Sequence, residues 1–212
     1  MTLLFEFVVW AVVSFLISEF LGYLLHRLLH SDTIRILSRS HMEHHLLRYG
    51  PLAEQRPEGG YLEATGDRPA IGNVGLEWLI PGGLLLLGCV LVLNVFHVRF
   101  IFQITFVAIA LAWSFVTFSY VHDGMHIKDF WMAKAPFLRS WFLEARLRHD
   151  IHHQQLNEEG LMDKNFGIGL SIFDHIFRTH QIMPEPLNHR AYKAALHRYS
   201  FLKPQFDKES EI

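Results

Sequence analysis

The chain has 212 residues and a mass of 24.7 kDa; half of it is hydrophobic, 19% is charged and the mean hydropathy is +0.18. That leaves too little polar surface for a water-soluble globule of one domain's size. A formal net charge of −2 excludes the basic surplus of a nucleic-acid binder, and a single cysteine, Cys89, excludes both a disulfide framework and a cysteine-built zinc site.

The first predicted element runs from Leu3 to Leu25, an apolar stretch broken only by Glu6 and Glu19 and long enough to cross a hydrocarbon core of about 30 Å. No Lys or Arg precedes it and no small-residue cleavage site follows, so it reads as a span and not a signal peptide. Residues 50–73 hold Gly and Pro without a lasting period and are predicted as a loop. Two further apolar runs, Trp78 to Phe96 and Phe100 to Val121, form a tight helical hairpin whose tip is His97, Val98 and Arg99. Residues Asp129 to Leu143 are too short for a fourth span and are broken by Lys134, Pro136 and Arg139, so they are predicted as a helix lying in the membrane interface.

The expected fold is therefore all-α: an integral membrane protein, one domain over residues 1–212, with about three transmembrane helices. Its histidine-rich helical cap comprises residues 26–77 and 122–212. Eighteen of the 19 basic residues lie in those two segments, and the positive-inside bias makes their side cytoplasmic. Glu6, near the outer end, is expected to snorkel to the surface.

Histidine is the compositional outlier, 15 of 212 residues. Ten sort into four clusters: His26 and His30; His41, His44 and His45; His122 and His126; His149, His152 and His153. Helical residues three or four apart share a face, so each cluster aims its imidazoles in one direction. His26 and His122 stand where the first and third spans end, so all four clusters can converge at the cytoplasmic face. Neutral imidazole is a common ligand for Fe, Zn and Cu, and ten rings are enough for about five nitrogens on each of two metals. His97, His189 and His197 read as solvated residues, and His175 and His180 fit either packing or the pocket wall.

Four further residues are candidates outside the ligand set. Asp123 and Asp150 stand three residues before His126 and His153 and can orient a ring nitrogen. Glu19 lies on the helical face of His26, seven residues earlier, and a carboxylate inside a span is a functional candidate. Asn165 either caps a turn or holds a metal-bound water.

At these residues the chain resembles the membrane-bound fatty acid hydroxylase and sterol desaturase superfamily of histidine-box proteins. Its HxxxH, HxxHH and HxxHH boxes are matched by residues 26–30, 41–45 and 149–153, and its intermediate pair by 122–126. Its asparagine-glycine segment is matched by Asn165 to Thr179. Residues 120–126 are also similar to bacterial carotenoid ring hydroxylases. The resemblance implies two iron ions, with zinc possible in isolated protein, and O₂-dependent hydroxylation of a fatty acyl or sterol-like lipid. A carotenoid ring substrate or lipid desaturation is the alternative within the superfamily. With no Gly-x-Gly-x-x-Gly and no cysteine cluster in the chain, the two electrons per turnover are expected from a separate ferredoxin or cytochrome with its reductase.

Three other classes fit less well. A metal transporter needs polar groups at the bilayer midplane, a bis-histidine haem carrier needs single histidines on facing spans, and a zinc hydrolase of the usual kind needs HExxH, which is absent.

Overall fold

The computed structural model describes residues 2–51, 61 and 76–202, with no side chains at 76–78. The loop predicted for 50–73 lies outside these residues except at Gly50, Pro51 and Tyr61. Among the described residues the protein is all-helical, without strands.

Helix α1 spans Leu3–Leu29, and α2 (Arg35–Glu43) passes into a π-helical turn, His44–Arg48. Helix α3 is Leu76–Val95 and includes Pro81. Helix α4 (Phe100–Ser114) continues through a π-helical segment, Phe115–Val121, into α5 (His122–Met125). A 3₁₀ turn at Trp131–Ala133 precedes α6 (Arg139–Gln154), α7 (Ile172–Ile176) and α8 (His189–Arg198), and a last 3₁₀ turn is Ser200–Leu202.

Among the described residues two helices are long and apolar enough to cross a membrane, Leu3–Leu29 and the continuous run Phe100–Met125; the apolar part of α3, Leu79–Val95, is shorter. Helix α1 buries Ser14, Ser18, Glu19 and Gly22 and exposes Leu4, Val8, Val12 and Leu16. That is the reverse of a helix on a water-soluble core. The serine hydroxyls bond back to carbonyls four residues earlier, Ser14 to Trp10 at 2.6 Å and Ser18 to Ser14 at 2.7 Å, so burying them strands no polar group. Small residues on this face let α4 approach closely, with Trp10 stacked on Phe102 at 5.6 Å and Phe15 edge-on to Trp113 at 4.7 Å.

The N-terminal end of α1 is fixed by charge. Arg99 at the α3–α4 tip donates to Glu6 at 2.9 Å, which joins the hairpin tip to the start of α1. His97 turns the tip with φ of 53°.

The predicted interfacial helix over residues 129–143 does not form as one element. The 3₁₀ turn and the bend at Pro136 occupy its first half, and α6 begins only at Arg139. Proline lacks an N–H and disfavours helical backbone in the residue before it. Helix α6 is then tied to α5 by Arg146, whose guanidinium donates to the Gly124 and Ile127 carbonyls at 3.2 and 2.7 Å.

The C-terminal segment, read from sequence only as polar, folds into α8. Asn188 caps it by accepting from the N–H groups of Arg190 and Ala191 at 3.1 Å each. Ala195, Tyr199 and Leu202 pack on Met42 and Leu46, which fixes α2 and its π turn. The Tyr199 hydroxyl, its pKa pushed up to about 12 by burial, donates to the His30 carbonyl at 2.6 Å. Tyr199→Phe leaves that carbonyl unpaired; the expected loss is about 1–2 kcal/mol, read as a fall of roughly 3–6 °C in the thermal midpoint in detergent.

Candidate metal centre

The ten clustered histidines converge as two groups of five. One contains His26, His30, His41, His45 and His152; the other contains His44, His122, His126, His149 and His153. Within each group, one ring nitrogen per residue lies within 4.8 Å of every other. Each group draws on three of the four sequence clusters, and both HxxHH clusters are split between the groups.

The split follows from helix geometry. Adjacent residues diverge by about 100° around a helix, whereas residues four apart lie on one face. His41 and His45 therefore serve one group and His44 the other, while His149 and His153 serve one and His152 the other. The two π segments lie where the aim must be adjusted: one begins at His44 and the other ends at Val121, just before His122. His45 and His153 stack at 3.8 Å between ring centroids, which places the two groups side by side.

Ring nitrogens face one another within each group. His30 Nε2 is 2.9 Å from His41 Nε2, which is 3.1 Å from His45 Nε2; His126 and His149, and His149 and His153, repeat the pattern at 3.1 Å. A ring nitrogen offers one in-plane hydrogen or one lone pair, so His41 Nε2 and His149 Nε2 cannot each serve two such neighbours as hydrogen bonds. Two nitrogens bound at about 2.1 Å to one ion at right angles are about 3.0 Å apart, against about 3.4 Å in a tetrahedron. The spacing therefore fits a cation at each group, and fits a set of five donors better than a closed tetrahedral site.

Backbone carbonyls set the tautomers of two rings. His26 Nδ1 donates to the Phe166 carbonyl and His152 Nδ1 to the Lys164 carbonyl, both at 2.6 Å. A carbonyl can only accept, so Nδ1 carries the hydrogen and Nε2 is the basic nitrogen in each ring.

Burial holds the His30, His41 and His45 imidazoles neutral: it pushes their pKa well below the usual 6.5, and neighbouring histidines push it lower still. Neutral rings are what metal binding needs. Well above pH 6.5 the folded and unfolded forms of these rings are both neutral. As pH falls from 6.5 towards the lowered native values, the unfolded chain takes up protons that the folded chain refuses, and stability is lost. Each ring contributes at most about 1.4 kcal/mol per pH unit in that window. A clearly lower thermal midpoint at pH 5.5 than at pH 7.5 is expected, with little change between pH 7.5 and 8.5.

The residues expected outside the ligand set take the following places. Asp123 lies 3.5 Å from Nδ1 of the adjacent His122. Asp150 accepts from the Tyr61 hydroxyl at 2.5 Å. Glu19, buried, accepts from Trp113 Nε1 and from the Leu170 N–H, so it ties α1 to α4 and to the segment after Asn165. Asn165 has φ of 54° and uses its whole side chain on backbone: Nδ2 donates to the Arg148 and Gln181 carbonyls at 3.1 and 2.7 Å, and Oδ1 accepts from the Gln181 N–H at 2.8 Å. The turn role, not a bound water, accounts for these bonds. His175 and His180 stack on each other at 3.8 Å and belong to neither group. His97, His189 and His197 are exposed.

Asp174 escaped the sequence reading. Fully buried, it accepts from the N–H groups of Phe166 and Gly167 at 2.8 and 2.9 Å and from the Thr179 hydroxyl at 2.7 Å, and Tyr23 in turn donates to Thr179 at 3.1 Å. It thereby holds the Phe166 carbonyl against His26. Its signal was the one carboxylate within the largely apolar IFDHIF. Tyr49, stacked on His126 at 3.8 Å, was also passed over.

Comparison with known proteins finds no matching family model, no matching curated protein and no matching solved structure.

Proposed function

We propose that this chain is a membrane di-iron oxygenase of the histidine-box type, which uses O₂ and two external electrons to hydroxylate a C–H bond of a long apolar lipid. The observation that carries the reading is the pair of adjacent five-histidine groups with ring nitrogens about 3 Å apart. Nitrogen-rich sites of this kind suit iron, and two ferrous ions there supply the O₂ activation that the resemblance implies. Lys164 and Phe166 orient two of the rings, Asn165 and Asp174 hold the segment that carries those carbonyls, and the buried rings exclude water. The electrons come from a separate ferredoxin or cytochrome.

Three membrane spans, α1, α3 and the α4–α5 run, fit the inverted burial of α1, and the basic residues make the histidine side cytoplasmic. An apolar cavity of about 350 Å³ lies between them, lined by Gly22, Leu25, Gly83, Leu86, Ala110 and Phe118 among others. The Phe118 ring also stands 6.5 Å from that of His26. A lipid chain in this cavity approaches the first histidine group from the hydrocarbon side, and only an apolar molecule suits such a lining. The groups lie at the ends of the spans, where a transporter would not place them.

The test uses the full chain, loaded with Fe²⁺ in vesicles made from a lipid extract of the expressing cells, with a ferredoxin and its reductase under ¹⁸O₂. One labelled oxygen per product molecule is expected. Oxygen taken from water, or turnover without O₂, overturns the proposal.

A further inference from the structure

We infer that the segment from Phe166 to Phe177 re-enters the membrane and that the outer face of α7 is in contact with lipid. The inference rests on the membrane reading of α1 and not on the identity of the metal.

The segment descends along α1. Phe166 meets His26 through its carbonyl, Leu170 meets Glu19 through its N–H, and Phe173 packs on Phe20 at 5.1 Å between ring centroids. Glu19 and Phe20 precede His26 by seven and six residues, so at 1.5 Å per residue the chain reaches about 9–10 Å down the helix from the histidine level. Non-helical backbone is tolerated at such depth only where its polar groups are satisfied within the protein, and here they have specific partners. Asp174 takes the N–H groups of residues 166 and 167, Trp141 Nε1 donates to the Gly169 carbonyl at 3.0 Å, and Glu19 takes the Leu170 N–H. The buried carboxylate of Glu19 thus has a use inside the span: it caps the descending backbone and, through Trp113, joins it to α4.

The next residues turn from protein to lipid. Leu16, Phe20, Leu24 and Leu28 stand four apart and form one stripe of α1; Leu16, Leu24 and Leu28 are exposed, whereas Phe20 is covered by Phe173 and by Phe177, stacked at 6.2 Å. Helix α7 therefore sits on a stripe of α1 that otherwise faces outwards. Its outer residues are mainly apolar, with Ile172 at 39% and Ile176 at 61% exposure, followed by Phe177 at 43%; the one polar ring among them, the exposed His175, stacks on His180 at 3.8 Å. Because this face continues the exposed stripe of a spanning helix, the occupant beside it is the acyl region of the bilayer. The sequence reading, which put residues 122–212 in the cytoplasmic cap with only 129–143 in the membrane interface, has no such segment.

Site-directed spin labelling tests the placement on the full chain in lipid nanodiscs. In a Cys89→Ser background, single cysteines at Ile172, Ile176, Leu91 and Arg190 are labelled, and collision with oxygen is compared with collision with a water-soluble nickel chelate. Leu91 in α3 reports the bilayer and Arg190 in α8 reports water. Labels at 172 and 176 are expected to shift towards oxygen as the label at 91 does. Labels at 172 and 176 that behave like that at 190, with 91 in lipid, overturn the re-entrant segment and leave the membrane reading standing; a label at 91 that is itself in water overturns both.

Discussion

His45→Ala is expected to remove bound metal and to abolish the proposed turnover, a loss of at least about 100-fold in each. His45 is fully buried, belongs to the first group and stacks on His153 of the second, so its loss opens one group and leaves a void beside the other. His153→Ala does the same from the second group. His189→Ala and His197→Ala alter exposed rings in α8 and change stability by less than about 0.5 kcal/mol, with metal content and activity unchanged. Elemental analysis of the purified variants, run beside melting curves, separates metal loss from unfolding. Wild-type metal content in both His45→Ala and His153→Ala contradicts the assignment.

The second large effect belongs to a residue outside both histidine groups. Asp174→Ala leaves two backbone N–H groups and the Thr179 hydroxyl without their buried acceptor. At about 1–3 kcal/mol for each stranded group, partly relieved by relaxation, the expected destabilisation is roughly 3–5 kcal/mol. The loss is also selective. Without Asp174 the Phe166 carbonyl no longer holds His26, so the group containing His26 weakens for metal by about 10–100-fold, while the group containing His149 keeps its affinity. Stepwise metal titration of the folded fraction reads the difference, and equal weakening of both groups contradicts the relay through Phe166.

The histidine spacing made much of the centre legible. Intervals of three and four on helices dictate shared faces, and all ten residues singled out on that basis lie in the two groups. Intervals alone leave open how the groups divide, because the division depends on how α1, α2, α5 and α6 meet. The same limit hid the supporting contacts. Backbone carbonyls such as those of Lys164 and Phe166 carry no side-chain signature, and Asp174 gains its meaning from partners that the fold brings to it. Glu19 was visible as a carboxylate on the His26 face, yet its partners, Trp113 and Leu170, lie 94 and 151 residues away. Residues 129–143 were misjudged for a local reason: Pro136 was counted against a membrane span but not against a single continuous helix. Helix α8 was legible only as part of the expected helical cap, because its buried Ala191 and Ala195 form too narrow an apolar face to mark its bounds.

Metal stoichiometry with ligand identity tests the central claim most directly. The purified full chain, reconstituted anaerobically with Fe²⁺ and desalted, is measured by elemental analysis and by X-ray absorption at the iron edge. Two iron ions per chain, each surrounded by imidazole nitrogen, are predicted. One ion or none per chain, or a first coordination sphere without imidazole, contradicts the account.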